Sequence, residues 1–83
     1  MTNRISFAQM DRILQDAGFQ KTVIPGKGIA YHHAPTDTLF PVRLHKPNEM
    51  VPDYLLAAAR SQLDGRGIMD AANFEELLKA AAA

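Results

Sequence analysis

FQKTVIPGKGIAYHH, residues 19–33, is the stretch in which the spacing of apolar residues changes from the period of a helix to that of a strand. The alternation over residues 19–24 predicts a strand, and Pro25-Gly26 is a typical turn pair. Residues 29–33 predict a second strand. The stretch therefore places two strands, joined by a short turn, near the middle of the chain.

The segment before this stretch has the signals of a helix over residues 7–17. Ser6 and Gln9 form a Ser-x-x-Gln capping box, and Ile5 with Met10 have the spacing of a hydrophobic staple. Gly18 is suited to the C′ position with positive φ, where it ends the helix. The predicted apolar stripe consists of Met10, Ile13, Leu14 and Ala17.

The segment after the stretch predicts a third strand. Residues 34–38 have turn chemistry, and residues 39–45 place Phe40, Val42 and Leu44 on one face. Pro41 has no N–H to donate to a neighbouring strand, so this strand is expected at an edge of the sheet or with a bulge.

The last third of the chain predicts two helices. Pro52 suits the first turn of one helix, and the pair Gly65 and Gly67 closes it. Asp70 is positioned to cap a short final helix, and residues 79–83 are expected to be a frayed tail. The apolar side of the first of these helices is formed by Leu55, Leu56, Ala59 and Leu63, and that of the second by Leu77 and Leu78, with Met69 and Phe74 at the spacing of a hydrophobic staple.

These elements predict a single α+β domain over residues 1–83, with the order α-β-β-β-α-α. The expected architecture is a small three-stranded antiparallel sheet with helices packed on one face. The other face is left open. It is either a binding surface for nucleic acid or protein, or an ordinary solvated face.

Composition limits the functional classes. The chain has no cysteine, no run of about 20 apolar residues and no apolar signal segment near its start. We therefore expect a cytoplasmic protein without a membrane segment. Residues 1–47 hold six Lys or Arg and three acidic residues, whereas residues 48–83 hold three and six. The positive half could attract phosphates, although side chains in such numbers are also typical of a solvated surface.

Short motifs spread over residues 8–78 resemble the HicA family of toxin ribonucleases. Family sequences have a helix ending in Gly-Phe, a Gly-Ser-His-His-x-Tyr strand, an apolar strand ending at Pro-x-His, and a helix followed by Gly-Ile. The matching residues here are Ala17-Gly18-Phe19, Gly26-Lys27-Gly28-Ile29-Ala30-Tyr31, Pro41-Val42-Arg43-Leu44-His45, Leu55-Leu56 and Gly67-Ile68. The motifs are loose, and the specificity of the resemblance comes from their order and spacing.

The resemblance implies a fold like that of double-stranded-RNA-binding domains and a toxin–antitoxin role. It implies RNA as substrate, a HicB-like antitoxin as partner, and a metal-independent endoribonuclease without cofactors. The chain departs from the family at the catalytic position, where Gly28 stands in place of a histidine. Glycine cannot transfer a proton, so the sequence leaves open whether the chain cleaves RNA.

The candidate catalytic residues are therefore His32 and His45. His32 is expected on the same strand face as Gly28 but about 13 Å away, at about 3.3 Å per residue. It could form a displaced site with Lys27 and Arg43. Both histidines could instead be structural, and His45 could simply shape the turn before the second helix. The candidate RNA-binding residues are Lys21, Lys27, Tyr31, Arg43 and Lys46.

The sequence leaves the role of Tyr31 open and does not indicate a metal site. Tyr31 could stack on an unpaired base, but a strand tyrosine is more often part of the core. No metal site is expected, because His32 and His33 point to opposite faces and the chain lacks cysteine.

Three functions are left open by the sequence. The chain could be a HicA-like toxin component that binds and cleaves RNA across a positive sheet face and is covered there by its antitoxin. It could be a catalytically inactive relative that binds RNA or protein. The apolar tail and the open sheet could alternatively serve self-association into a homo-oligomer.

Overall fold

The computed structural model describes residues 4–43 and 45–82. Its element order confirms the predicted α-β-β-β-α-α arrangement, with a short 3₁₀ turn, Ala34–Thr36, between the second and third strands. The elements are α1 (Phe7–Asp16), β1 (Gln20–Ile24), β2 (Gly28–His33), β3 (Thr38–Val42), α2 (Asp53–Gly65) and α3 (Ala71–Ala82).

Helix α1 begins and ends as its local sequence predicts. The Ser6 hydroxyl accepts a hydrogen bond from the Gln9 N–H, and the Gln9 side chain accepts one from the Ser6 N–H, which completes the capping box. At the other end Gly18 has φ of 104°, and the Phe19 N–H bonds to the Leu14 carbonyl. This is a Schellman arrangement, and it turns Phe19 back into the core.

The sheet is antiparallel in the order β1-β2-β3. Strand β3 is therefore an edge, which confirms the prediction from Pro41. The strand ends at Val42 rather than at residue 45, because the chain turns away there toward the start of α1. Phe40 and Val42 are buried on one face as predicted, and Leu44 lies outside the described residues.

The two faces of the sheet differ sharply in burial. Ile29, Tyr31 and His33 of β2 face the helices and are buried, whereas Ala30 and His32 face the open side. The buried cluster combines this inner face with side chains from all three helices. The helices therefore pack on one face and leave the other uncovered.

The C-terminal helices also follow their local signals. Pro52 precedes the first residue of α2, and Gly67 has φ of 69° just after its end. The Asp70 carboxylate accepts a hydrogen bond from the Asn73 N–H and caps α3, as predicted. Residues 79–82, predicted to fray, continue α3 in the structure, and the Gln9 side-chain amide donates to the Ala81 carbonyl at 2.7 Å. No helix formed by the described residues has the length and hydropathy to cross a bilayer.

Candidate functional site

The β1–β2 turn positions the first candidate site. Pro25 and Gly26 occupy the centre of the turn, Gly26 has φ of 75°, and the Lys27 N–H bonds to the Ile24 carbonyl at 3.0 Å. These are the features of a type II turn. The turn brings Lys27 to the end of the sheet at which β3 also ends.

A groove of about 280 Å³ lies at this end of the sheet, and we call it the hairpin groove. Lys27 and Arg43 both line it, and no acidic side chain does. Its remaining lining is formed by Ile24, Gly28, Ile29, Ala30, Pro41 and Val42. The groove is thus an apolar floor with two cations, a combination suited to an anionic ligand.

The two groove cations belong to the larger set of Lys and Arg side chains that form no ion pair with a described residue. Lys27 and Arg43 form no ion pair with any described residue, whereas Lys21, Arg60 and Lys79 each contact a carboxylate at 2.7 to 3.6 Å. An unpaired cation can bind a phosphate without first breaking an internal ion pair.

Gly28, at the position of the family's catalytic histidine, has φ of 141°. This backbone conformation favours glycine, because a Cβ atom introduces steric strain there. Histidine at residue 28 would therefore be strained in this backbone.

The segment between β3 and α2 is held against the start of α1. The Phe7 N–H bonds to the Glu49 carbonyl at 2.9 Å, and the Ala8 N–H bonds to the Pro47 carbonyl at 3.0 Å. The Val51 N–H bonds to the Ile5 carbonyl at 2.8 Å. The first two contacts satisfy N–H groups of the first helical turn, which would otherwise lack partners, and all three hold the loop beside α1.

The ring of His45, in this loop, stacks on the ring of Phe7 at the start of α1, with centroids 3.7 Å apart and planes inclined by 13°. Both of its ring nitrogens are buried, and neither has a hydrogen-bond partner among the described residues. Burial of unpaired polar atoms costs roughly 1–3 kcal/mol for each group. His45 is therefore placed unfavourably, and its nitrogens cannot reach a ligand in this arrangement.

A second cleft, of about 440 Å³, opens beside this stack, and we call it the Tyr54 cleft. Arg43 lines both this cleft and the hairpin groove, so the two cavities are neighbours. Tyr54, which is 73% exposed, lines the Tyr54 cleft together with the exposed Met50. Its other lining residues are Phe7, Pro41, Val42, His45, Glu49, Pro52 and Leu55.

The displaced site predicted around His32 is not assembled. His32 Nε2 lies 3.0 Å from the Asp37 carboxylate, at the end of β2 opposite Gly28. It shares no groove with Lys27, Arg43 or His45. Of the alternatives that the sequence left open for His32, the structure favours a hydrogen-bonded histidine over a joint site with Lys27 and Arg43, because His32 lies at the other end of β2.

His33 is a structural histidine. It is buried, its Nδ1 lies 2.8 Å from the Thr36 hydroxyl, and its ring tilts against Phe19. A Cβ on Gly18 would lie 3.2 Å from this ring, so the helix end and the imidazole are tightly packed.

Tyr31 and Lys21 are also placed away from an RNA-binding role. Tyr31 is fully buried, so the prediction that it could stack on a base was wrong and the alternative, a core tyrosine, is correct. Its hydroxyl donates to Asp11 at 2.6 Å, and Lys21 Nζ lies 3.3 Å from the same carboxylate oxygen. Lys21 is thus on the helix side of the sheet, paired with α1.

The Asp11 carboxylate is the electrostatic centre of this cluster. Burial alone would raise the pKa of Asp11, but hydrogen bonds from Tyr31 and Gln15 and the charge of Lys21 outweigh burial and lower it. Burial, followed by the hydrogen bond to Asp11, raises the pKa of Tyr31 well above its ordinary value. The cluster stabilises the contact between α1 and β2.

The open sheet face does not have the positive charge that the sequence suggested. Gln20, Thr22 and Ile24 of β1 point to this face, together with Leu39 and Pro41 of β3. None of the outward-facing residues of these strands is Lys or Arg. Lys46 is exposed in the loop before α2 and lines none of the three clefts described.

A third cleft, of about 280 Å³, lies beside Asp11, Lys21 and His45. Its charged residues are already paired with each other. Within residues 4–43 and 45–82, no three His, Asp or Glu side chains gather as a metal site would require.

The sequence interpretation missed Tyr54, Phe7 and Glu49 as site residues. The sequence did indicate that Tyr54 is exposed, because this residue lies off the apolar stripe of α2 that Leu56, Ala59 and Leu63 form. No sequence pattern indicated Phe7 and Glu49, since they meet only through the contact between the loop and α1.

Comparisons with protein-family models, with curated proteins and with solved structures found no match. The resemblance to the HicA family therefore stays a prediction that rests on the motifs of the sequence.

Proposed function

We propose that this chain is a HicA-like module that binds RNA without cleaving it. The observation that supports RNA binding is the hairpin groove, in which Lys27 and Arg43 line an apolar floor without acidic groups and have no ion-pair partner among residues 4–43 and 45–82. Two cations in one groove match successive phosphates of a single strand better than isolated surface lysines do.

The histidines support binding over cleavage. Gly28 has no proton to transfer, and His33 is bonded to Thr36 inside the core. The nitrogens of His45 are buried, and His32 is paired with Asp37 at the far end of β2. RNA held at Lys27 and Arg43 thus has no accessible imidazole beside it, whereas general acid–base cleavage needs one within hydrogen-bond reach.

The test is a titration of labelled mixed-sequence RNA, read by fluorescence anisotropy at several salt concentrations and by gel for cleavage. The double variant Lys27→Ala/Arg43→Ala should bind more weakly, with the slope of log K against log salt reduced by about 1.4, at about 0.7 for each phosphate contact. The matched control is Arg66→Ala/Lys79→Ala, which removes the same charge elsewhere and should leave the slope unchanged.

Two results would contradict the proposal. Equal weakening by both double variants would show that the groove has no special role. Cleavage by the wild type that disappears in His32→Ala or His45→Ala would instead establish the ribonuclease activity that the family resemblance implies.

A second candidate function is protein binding through the open sheet face, and the exposure of Leu39 (56%) and Ile24 (41%) supports it. Neutral and apolar side chains suit a protein partner better than a phosphate backbone. The expected partner is a HicB-like antitoxin encoded by a neighbouring gene. Co-expression with such a product should give a complex that Leu39→Asp disrupts and Lys79→Asp does not. Retention of the complex by Leu39→Asp would exclude this face.

A further inference from the structure

We propose that the Tyr54 cleft binds one unstacked base of single-stranded RNA, with the base against the Tyr54 ring and its phosphate on Arg43. This inference deepens the proposed RNA binding and rests on it. It assigns Tyr54, which no sequence motif singled out, to recognition of the base.

The position of Arg43 between two neighbouring cavities gives the path of the strand. Arg43 lines both the hairpin groove and the Tyr54 cleft, so a nucleotide whose phosphate contacts Arg43 can place its base in the adjacent cleft. The cleft, at about 440 Å³, is within the usual range for small-ligand pockets and is large enough for a base.

The charges decide which part of the nucleotide enters each cavity. The hairpin groove has two cations and no acid, which favours phosphate. Glu49 lines the Tyr54 cleft, and an acidic side chain there disfavours phosphate. Its carboxylate accepts a hydrogen bond from the Lys46 N–H at 3.4 Å and has the capacity to accept others from the N–H groups of a base. The base is thus the part of the nucleotide that fits the cleft.

The exposure of Tyr54 supports the same assignment. Tyr54 is 73% exposed although it lines the cleft beside apolar residues, so its side chain is accessible for stacking. Aromatic side chains presented beside a cationic groove are the usual means by which proteins hold single strands.

The experiment measures binding of a labelled single-stranded RNA octamer and of an abasic octamer with the same backbone. Tyr54→Ala should weaken binding of the intact RNA about tenfold or more, and Tyr54→Phe should preserve it, because stacking needs the ring and not the hydroxyl. Neither change should alter the salt slope or the binding of the abasic octamer. Val23→Ala, which shortens an exposed apolar side chain that lines none of the three clefts, is the matched control and should bind as the wild type does.

NMR gives a direct readout, because the chain has two tyrosines and no tryptophan. The Tyr54 ring signals should shift when RNA binds, and those of the buried Tyr31 should not. If intact RNA binds with the expected salt slope but Tyr54→Ala does not change the affinity for it, the base-binding inference is wrong and the proposed function stands. If the wild type binds no RNA, both are wrong.

Discussion

The hydroxyl of Tyr31 donates a 2.6 Å hydrogen bond to Oδ1 of Asp11 and so joins the central strand β2 to helix α1. Tyr31 is fully buried, and the Lys21 ammonium lies 3.3 Å from the same oxygen. A tyrosine that the sequence suggested for RNA binding is thus part of the contact between the sheet and its covering helix.

We expect Tyr31→Phe to lower the free energy of unfolding by about 2 kcal/mol, because it removes a buried hydrogen bond to a charged acceptor. Urea unfolding measures this change, with Tyr54→Phe as the control that alters an exposed tyrosine and should have little effect. In a double-mutant cycle with Asp11→Asn, additive losses would mean that the two side chains are not energetically coupled.

The same pair predicts how stability depends on pH. The pKa of Asp11 is lowered from 3.8, so its contribution is present above that pH and is lost as pH falls through the lowered pKa. The pKa of Tyr31 is raised from 10.0, so its contribution is present below pH 10.0 and is lost at higher pH.

Unfolding free energies measured from acid to alkaline pH should therefore fall at both ends. Asp11→Asn should reduce the loss of unfolding free energy at acid pH. Tyr31→Phe should reduce the loss at alkaline pH. Variant curves parallel to the wild type at both ends would show that the pair does not cause the pH dependence.

Gly18→Ala should destabilise the fold by about 2 kcal/mol. The residue has φ of 104°, and the new Cβ would lie 3.2 Å from the His33 ring. Gly65→Ala is the matched control at the end of α2, where no neighbouring atom lies within 4 Å of the new Cβ, and it should stabilise by about 0.5 kcal/mol. Thermal unfolding of both variants tests this, and equal melting temperatures would refute the role of the close contact.

Gln9→Glu should loosen the end of α3 while preserving the cap of α1. The acceptor oxygen for the Ser6 N–H is retained, but the amide that donates to the Ala81 carbonyl is lost. Amide hydrogen exchange over residues 79–82 should accelerate about fivefold, as expected for the loss of about 1 kcal/mol.

The control for this change is Gln20→Glu, which alters the charge equally on β1. Unchanged exchange in Gln9→Glu would show that the contact with Gln9 does not hold the end of α3. The earlier expectation of a frayed tail would then regain support.

The ends of the elements could be predicted from sequence because their causes are local. Ser6, Gln9, Gly18 and Asp70 act on backbone groups within about five residues, and each occupies the predicted position in a helix cap. The hairpin turn at Pro25-Gly26 is local in the same sense. Strand β3 was predicted too long because its end depends on the contact of the following loop with α1.

The candidate site could be predicted only in part. Lys27 and Arg43 were named from sequence and line one groove, but His32 and His45 do not share a site. Residue type and strand alternation do not determine which charged side chains form ion pairs. Lys21 is paired with Asp11, for example, whereas Lys27 has no ion-pair partner among the described residues.

The sequence by itself determined the helices, the hairpin, the edge position of β3 and the faces of β2, because short-range periodicity and backbone preferences specify them. Tertiary packing was needed to bring the Tyr31 hydroxyl to Asp11, to bury the nitrogens of His45, and to place Arg43 in the lining of both the hairpin groove and the Tyr54 cleft. These features depend on how segments distant in the chain pack together, and packing fixes the burial and hydrogen-bond partners of each side chain.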